Sequence, residues 1–229
     1  MAGSVNMNRV SFTGALSLAV SGILFVLYPA VRPFSSEKAL EGAAAFASDS
    51  WILAHVLAML AFILLVAGLF ALYVRSRGKA VERLAIRSLF VLWFGVGLTL
   101  PFYGAEAFGL HAIGQEALRV NNPALMSIAR EVRTGPGLPL FLAGLVLVAG
   151  GAILTASVMW QSPGGTRWSG FPLAVGFVLY IPQFAAPQPI RVAHGALIAW
   201  GCIWTAVSLW RWSAARDRSP RVSRSHGSR

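Results

Sequence analysis

Residues 50–74, SWILAHVLAMLAFILLVAGLFALYV, run from Asp49 to Arg75 without a charge. About 20 apolar residues span the hydrocarbon of a bilayer, where an unpaired charge is costly. The run is continuous and too long for a barrel strand, and open backbone cannot face lipid, so it reads as a transmembrane helix. Five more charge-free gaps flank it, at 10–31, 88–105, 134–166, 168–190 and 192–210. Each is long enough for one helix and none for two. The expected fold is all-α: a polytopic membrane bundle of six helices near 11–30, 51–74, 88–110, 138–160, 168–183 and 191–211. The apolar run of the first exceeds a signal-peptide core, which makes it a retained helix.

Composition agrees. Only 12% of the 229 residues are charged, about half of the roughly 25% usual for soluble domains. With 56% apolar residues and a mean hydropathy of +0.66, polar side chains are too few to cover a water-facing surface. A disordered chain, a coiled coil and a disulfide scaffold are excluded as well, the last because Cys202 is the single cysteine. No soluble domain fits between the spans, leaving one membrane domain over 1–211 and a basic tail over 212–229, expected to be disordered.

Lys and Arg sort by side, thirteen with the N-terminus, the 75–87 loop, Arg167 and the tail, and six on the opposite face. The positive-inside rule then puts both termini in the cytoplasm. Six of the eight acids face outward, leaving Glu82 and Asp217 inside. The net charge of +11 is met by anionic lipid at the tail (Arg211, Arg216, Arg218, Arg221, Arg224, Arg229). Nucleic acid is not an expected partner, since the tail lacks interleaved aromatics or a folded module.

Outer loops 32–50 and 111–136 each contain a short amphipathic stretch. In the first, Ser35 or Ser36 is positioned to cap a helix through Leu40, Ala43 and Phe46. In the second, Asn122 is the N-cap, Pro123 takes the first helical position, and Leu125, Ile128, Ala129 and Val132 share a face. Such helices either float on the headgroups or cap an outer cavity.

Depth then gathers the polar chemistry at one face. His55 and His194 lie about one turn into the second and sixth helices from outside, and Glu106 and His111 lie near the outer end of the third. Neutral imidazoles at equal depth on facing helices are a candidate axial pair for haem or a ligand set for a transition metal, with Glu106 or His111 assisting. Glu106 and His111, five residues apart, stand about 140° apart on a helix, so both join one site only if the helix ends between them, near Gly109. The plain alternative is that each histidine bonds backbone or caps a helix end. Glu106 is the acid nearest a helical run, which makes it the candidate catalytic proton donor or relay, or else a headgroup-level partner of Arg191 or Arg119.

An internal echo joins Phe25-Val26-Leu27-Tyr28-Pro29 before Leu53-Ala54-His55 to Phe177-Val178-Leu179-Tyr180-Ile181-Pro182 before Val192-Ala193-His194. Tyr28, Tyr103 and Tyr180, with Trp51, read as the aromatic belt. Gly144, Gly151 and Thr155, widened by Ala152 and Ala156, form a small-residue strip suited to close helix contact or oligomer formation.

The closing segment Arg191-Val192-Ala193-His194-Gly195-Ala196-Leu197-Ile198-Ala199-Trp200-Gly201, continuing to Trp204 and Leu209-Trp210-Arg211, resembles small multi-pass bacterial integral membrane proteins of no assigned activity. The resemblance implies a bacterial plasma membrane and six helices, and brings no catalytic residues. Three classes of function follow from the residues: an accessory or structural membrane protein; a metal- or haem-binding redox protein using His55 and His194; and a small transporter or lipid-active enzyme in which Glu106 handles protons.

Overall fold

The structure, a computed structural model, describes residues 7–37, 39–162 and 167–217. Among these every regular element is a helix. Five elements are long: α1 (Met7–Val31), α3 (Asp49–Ser76), α4 (Glu82–Gly104), α7 (Gly137–Gln161) and α9 (Gln188–Asp217). Four are short: α2 (Leu40–Phe46), α5 (Leu110–Arg119), α6 (Met126–Thr134) and α8 (Phe171–Val178). Five helical stretches are long and apolar enough to cross a membrane: α1, α3, α4 continued into α5, α7 and α9.

Two of the expected spans differ. The one expected over 88–110 starts at Glu82 and does not stop near Gly109; a π-helical turn, Ala105–Gly109, carries it into α5. The one expected over 168–183 contains only the eight residues of α8, bracketed by 3-10 turns at Arg167–Gly170 and Pro182–Ala185. Pro182 has no N–H to continue the ladder, and the missing donor helps to end the helix. The segment nevertheless follows α9 in antiparallel register: Leu173 packs at Gly201, Ile198 at Gly176, and the Tyr180 ring meets His194. Helix α9 continues to Asp217, past the 211 boundary expected from the charges. Residues 218–229, with His226 and four of the tail arginines, lie outside the described residues.

The helices close a ring. In order of contact, α9 packs on α1, α1 on α3, α3 on α4, α4 on α7, α7 on α8 and α8 on α9. One end of this ring is roofed by α2, α5 and α6. The roof has a small core of its own around Phe46, Trp51, Leu110 and Met126, and Gly114 lets α5 approach the α2 backbone at Ala43 and Ala47. Asn122 accepts from the Ala124 amide at 3.0 Å and starts the turn into α6. The buried face of α6 carries Met126 and Ala129, whereas Ile128, expected on that face, points outward. Neither Ser35 nor Ser36 caps α2, which begins after Ala39 without a side-chain cap.

The small-residue strip of α7 is used inside the chain. Gly144 lies against Gly95 and Thr99, Gly151 against Leu92, and Thr155 bonds Ser88 at 2.7 Å, all on α4. A Cβ at Gly151 would stand 2.9 Å from the Leu92 backbone, while one at Gly97, on the outer face of α4, meets nothing within 4 Å. Gly151→Leu is therefore expected to destabilise the fold by at least about 1–3 kcal/mol through overpacking. Gly97→Ala should match or exceed wild type, because alanine loses less entropy in a helix. Thermal unfolding in detergent measures both.

Candidate functional site

Several parts of the ring and its roof send polar and aromatic groups to the roofed end. α3 is placed by a serine cap: Ser48 accepts from the Trp51 amide at 3.2 Å and donates to the Ala45 carbonyl at 2.7 Å. One turn later the His55 Nδ1 donates to the Trp51 carbonyl at 2.7 Å. A carbonyl can only accept, so the proton is on Nδ1 and the Nε2 atom faces the site. Nε2 lies 3.3 Å from Glu106 Oε2, off the line of a formed hydrogen bond. A proton between Nε2 and Oε2 is what would join the two groups.

Glu106 owes its position to the π-helical turn. Pro101 lacks the N–H for the Gly97 carbonyl, and four residues later the ladder widens into the Ala105–Gly109 turn. Such turns re-aim side chains and recur at functional sites. The Glu106 carbonyl is satisfied by the Trp51 indole at 2.8 Å. Its carboxylate, almost wholly buried, accepts from Arg133 Nε at 2.7 Å. Arg133 reaches down from α6 in the roof and also pairs with Glu37 through Nη1. Burial works against the Arg133 charge, but Glu106 and Glu37 more than restore it and hold its pKa above the ordinary guanidinium value.

Neither partner expected for Glu106 is used. Arg119 pairs with Glu116 on the roof surface at 2.6 Å, because both lie on α5 one turn apart. Arg191 donates from Nε to the Ala186 carbonyl at 2.8 Å and from Nη2 to the Phe184 carbonyl, held there by the turn before α9.

The candidate ligand residues separate into three places. His55 and Glu106 meet. His111 donates from Nδ1 to the Phe46 carbonyl at 2.9 Å and ties α5 to α2. His194 donates from Nε2 to the Gly176 carbonyl at 2.7 Å and ties α9 to α8. The contacts linking His55 to His194 run through tyrosines, with Tyr103 and Tyr180 hydroxyls 2.8 Å apart. Among the described residues no three His, Cys, Asp or Glu side chains converge as a metal-binding group. Cys202 is buried and apart from them.

The sequence echo has a counterpart here. Tyr28 meets His55 edge to face at 5.7 Å, and Tyr180 meets His194 in the same manner at 5.5 Å. These tyrosines and Tyr103 are core residues, not a belt at the headgroups, and Trp51 is fully enclosed. A usable signal lay beside them: Tyr28, Tyr103 and Tyr180 each stand within two residues of a proline, and prolines in membrane helices mark places where neighbours must satisfy freed backbone. Arg133, three residues from the nearest proline, carried no such mark.

Under Arg133 and Glu106 lies a cavity of about 420 Å³, walled by Tyr28, Tyr103 and Phe141 and by the charged groups Arg32, Glu37 and Arg191. Compared with family models, curated proteins and solved structures, the chain matches none.

The Arg133–Glu106 pair is the fastening between roof and ring. Removing one partner of a buried pair costs about 3–5 kcal/mol. Glu106→Gln is thus expected to lower stability by that amount and to speed amide exchange across 126–134, measured by hydrogen-exchange mass spectrometry. Glu116→Gln, which breaks the exposed Arg119 pair, should change neither.

Proposed function

We propose that the chain is an accessory protein of a bacterial plasma membrane, crossing it six times with both termini inside, whose roofed end is an outward-facing binding pocket. The observation that carries this reading is the cavity under Arg133 and Glu106, which combines a wall of Tyr and Phe rings with converging charges. Sites for small molecules have this make-up and lie between the helices of bundles.

The crossing number is supported by the register of Arg167–Ala185 along α9, which carries the chain from the Gln161 end of the bundle to the Gln188 end. A short, broken segment of this kind is tolerated at membrane depth where protein covers it. The orientation is supported by the excess of basic residues at the unroofed end, where Arg75, Arg77, Lys79, Arg83 and Arg87 gather. There the basic tail would meet anionic lipid.

Within this reading Glu106 anchors the roof. The proton-donor role open to an unpaired acid draws no support from a carboxylate already bonded to Arg133. The metal or haem role draws little from histidines that stand apart, His55 at Glu106, His111 at the Phe46 carbonyl and His194 at the Gly176 carbonyl.

Cysteine labelling tests the arrangement. In a Cys202→Ala background, a membrane-impermeant maleimide should label Ser127→Cys, on the exposed face of α6, in intact cells. It should reach Ala80→Cys, in the α3–α4 turn, only after permeabilisation. The reverse pattern inverts the topology and moves the pocket to the cytoplasm. Gln161→Cys and Pro187→Cys should label from opposite sides; labelling from one side reduces the crossings to five.

A further inference from the structure

The three guanidiniums at the cavity share two carboxylates, which leaves one positive charge over. Arg133 has both carboxylates, Glu106 and Glu37. Arg32 touches Glu37 only through Nη2 at 3.4 Å. Its side chain is 6% exposed, and its Nε has no hydrogen-bond partner among the described residues. Arg191 has no carboxylate within ion-pair reach among the described residues, and the two carbonyls it serves leave donors over.

These two arginines share a platform. Arg32 lies 4.6 Å and Arg191 5.0 Å from the centre of the Phe34 ring, so their charges are within about 10 Å of each other. Like charges so placed in a partly desolvated space repel, and an anion between them removes the repulsion. Beside them the Ser35 hydroxyl is buried and also has no partner among the described residues. Leaving a buried donor unpaired is costly. Arg32, Ser35 and Arg191 all line the same cavity, and Phe102, Phe141 and Phe184 form its apolar side.

We infer that this cavity binds an oxyanion, a carboxylate or a phosphate, carried on an apolar body. Arg32 and Arg191 clamp the oxyanion across the Phe34 ring, Ser35 donates a further hydrogen bond, and the phenylalanines receive the apolar part. Guanidinium forks suit planar or tetrahedral oxyanions because two N–H groups meet two oxygens at once. With three arginines against two glutamates at the cavity, an ammonium head has no place. The volume of about 420 Å³ holds a small amphiphile or the head of a lipid. The inference rests on the outward-facing pocket proposed above and names what fills it.

The full chain in phosphatidylcholine nanodiscs, with empty discs as the blank, tests this using decanoate, decyl phosphate and decyltrimethylammonium. Saturable one-site binding of both anions, and none of the ammonium, is expected. Arg191→Gln should weaken anion binding about tenfold or more, whereas Arg119→Gln, on the roof surface, should bind as wild type. Decyl phosphate should also protect Arg191 of the wild type from phenylglyoxal, read by mass spectrometry; this decides the matter if the variant does not fold. Competition by phosphatidylglycerol placed in the disc assigns the site to a lipid headgroup, and competition by inorganic phosphate alone assigns it to a free oxyanion. Absent anion binding, equal binding of the ammonium, an unchanged Arg191→Gln, or no protection at Arg191 overturns the inference. Labelling of Ser127→Cys from outside without anion binding sinks the ligand and spares the pocket; labelling from inside with anion binding intact sinks only the orientation.

Discussion

The bond from Arg133 to Glu106 is the constraint on which the roofed end depends. A charge pair in a poorly hydrated interior must be nearly complete in its hydrogen bonds or it costs more than it returns. Completion here recruits neighbours in sequence: Glu37 takes the second side of Arg133, the Trp51 indole takes the Glu106 carbonyl, and His55 stands against the free carboxylate oxygen. Glu37 comes from the loop before α2, and Trp51 and His55 from the first turns of α3. Satisfying one carboxylate thus fixes the loop before α2, the start of α3, the π-helical turn and α6 relative to one another.

Much of the bundle was legible because charge is expensive in hydrocarbon. Asp49 and Arg75 bracket α3 almost to the residue, and the ends of α1 and α7 fall close to their gaps. The same rule misjudged the segment after Arg167, since it registers the absence of charge and not the ability to stay helical. Pro172 and Pro182 decide that, together with the cover that α7 and α9 provide on either side. It also read α4 as ending near Gly109, where the helix widens instead of stopping.

The site was legible in depth but not in partnership. His55 and Glu106 were expected at one level and do meet. Which arginine answers Glu106 could not follow from depth, because Arg133 comes from the roof, 27 residues away, and the fold of a loop is set by tertiary contacts. Trp51 and the tyrosines were misjudged for a related reason. An amphipathic ring near a helix end has the same appearance in sequence whether its polar tip meets headgroups or another side chain. Only contact distinguishes them, as between the Tyr103 and Tyr180 hydroxyls.

The ring closes between α1 and α9, the first and last of the described helices, where Gln188 donates to the Pro29 carbonyl at 3.1 Å. Chains are made from the N-terminus and fold as their parts emerge. α1 can pair with α3 early, but its other flank stays uncovered until α9 has left the ribosome. Arg32 and Arg191 are divided by the same seam, so the cavity wall is the last part to be completed. A chain halted during synthesis before α9 would present a partly paired bundle in which one flank of α1 and half of the cavity wall are still open.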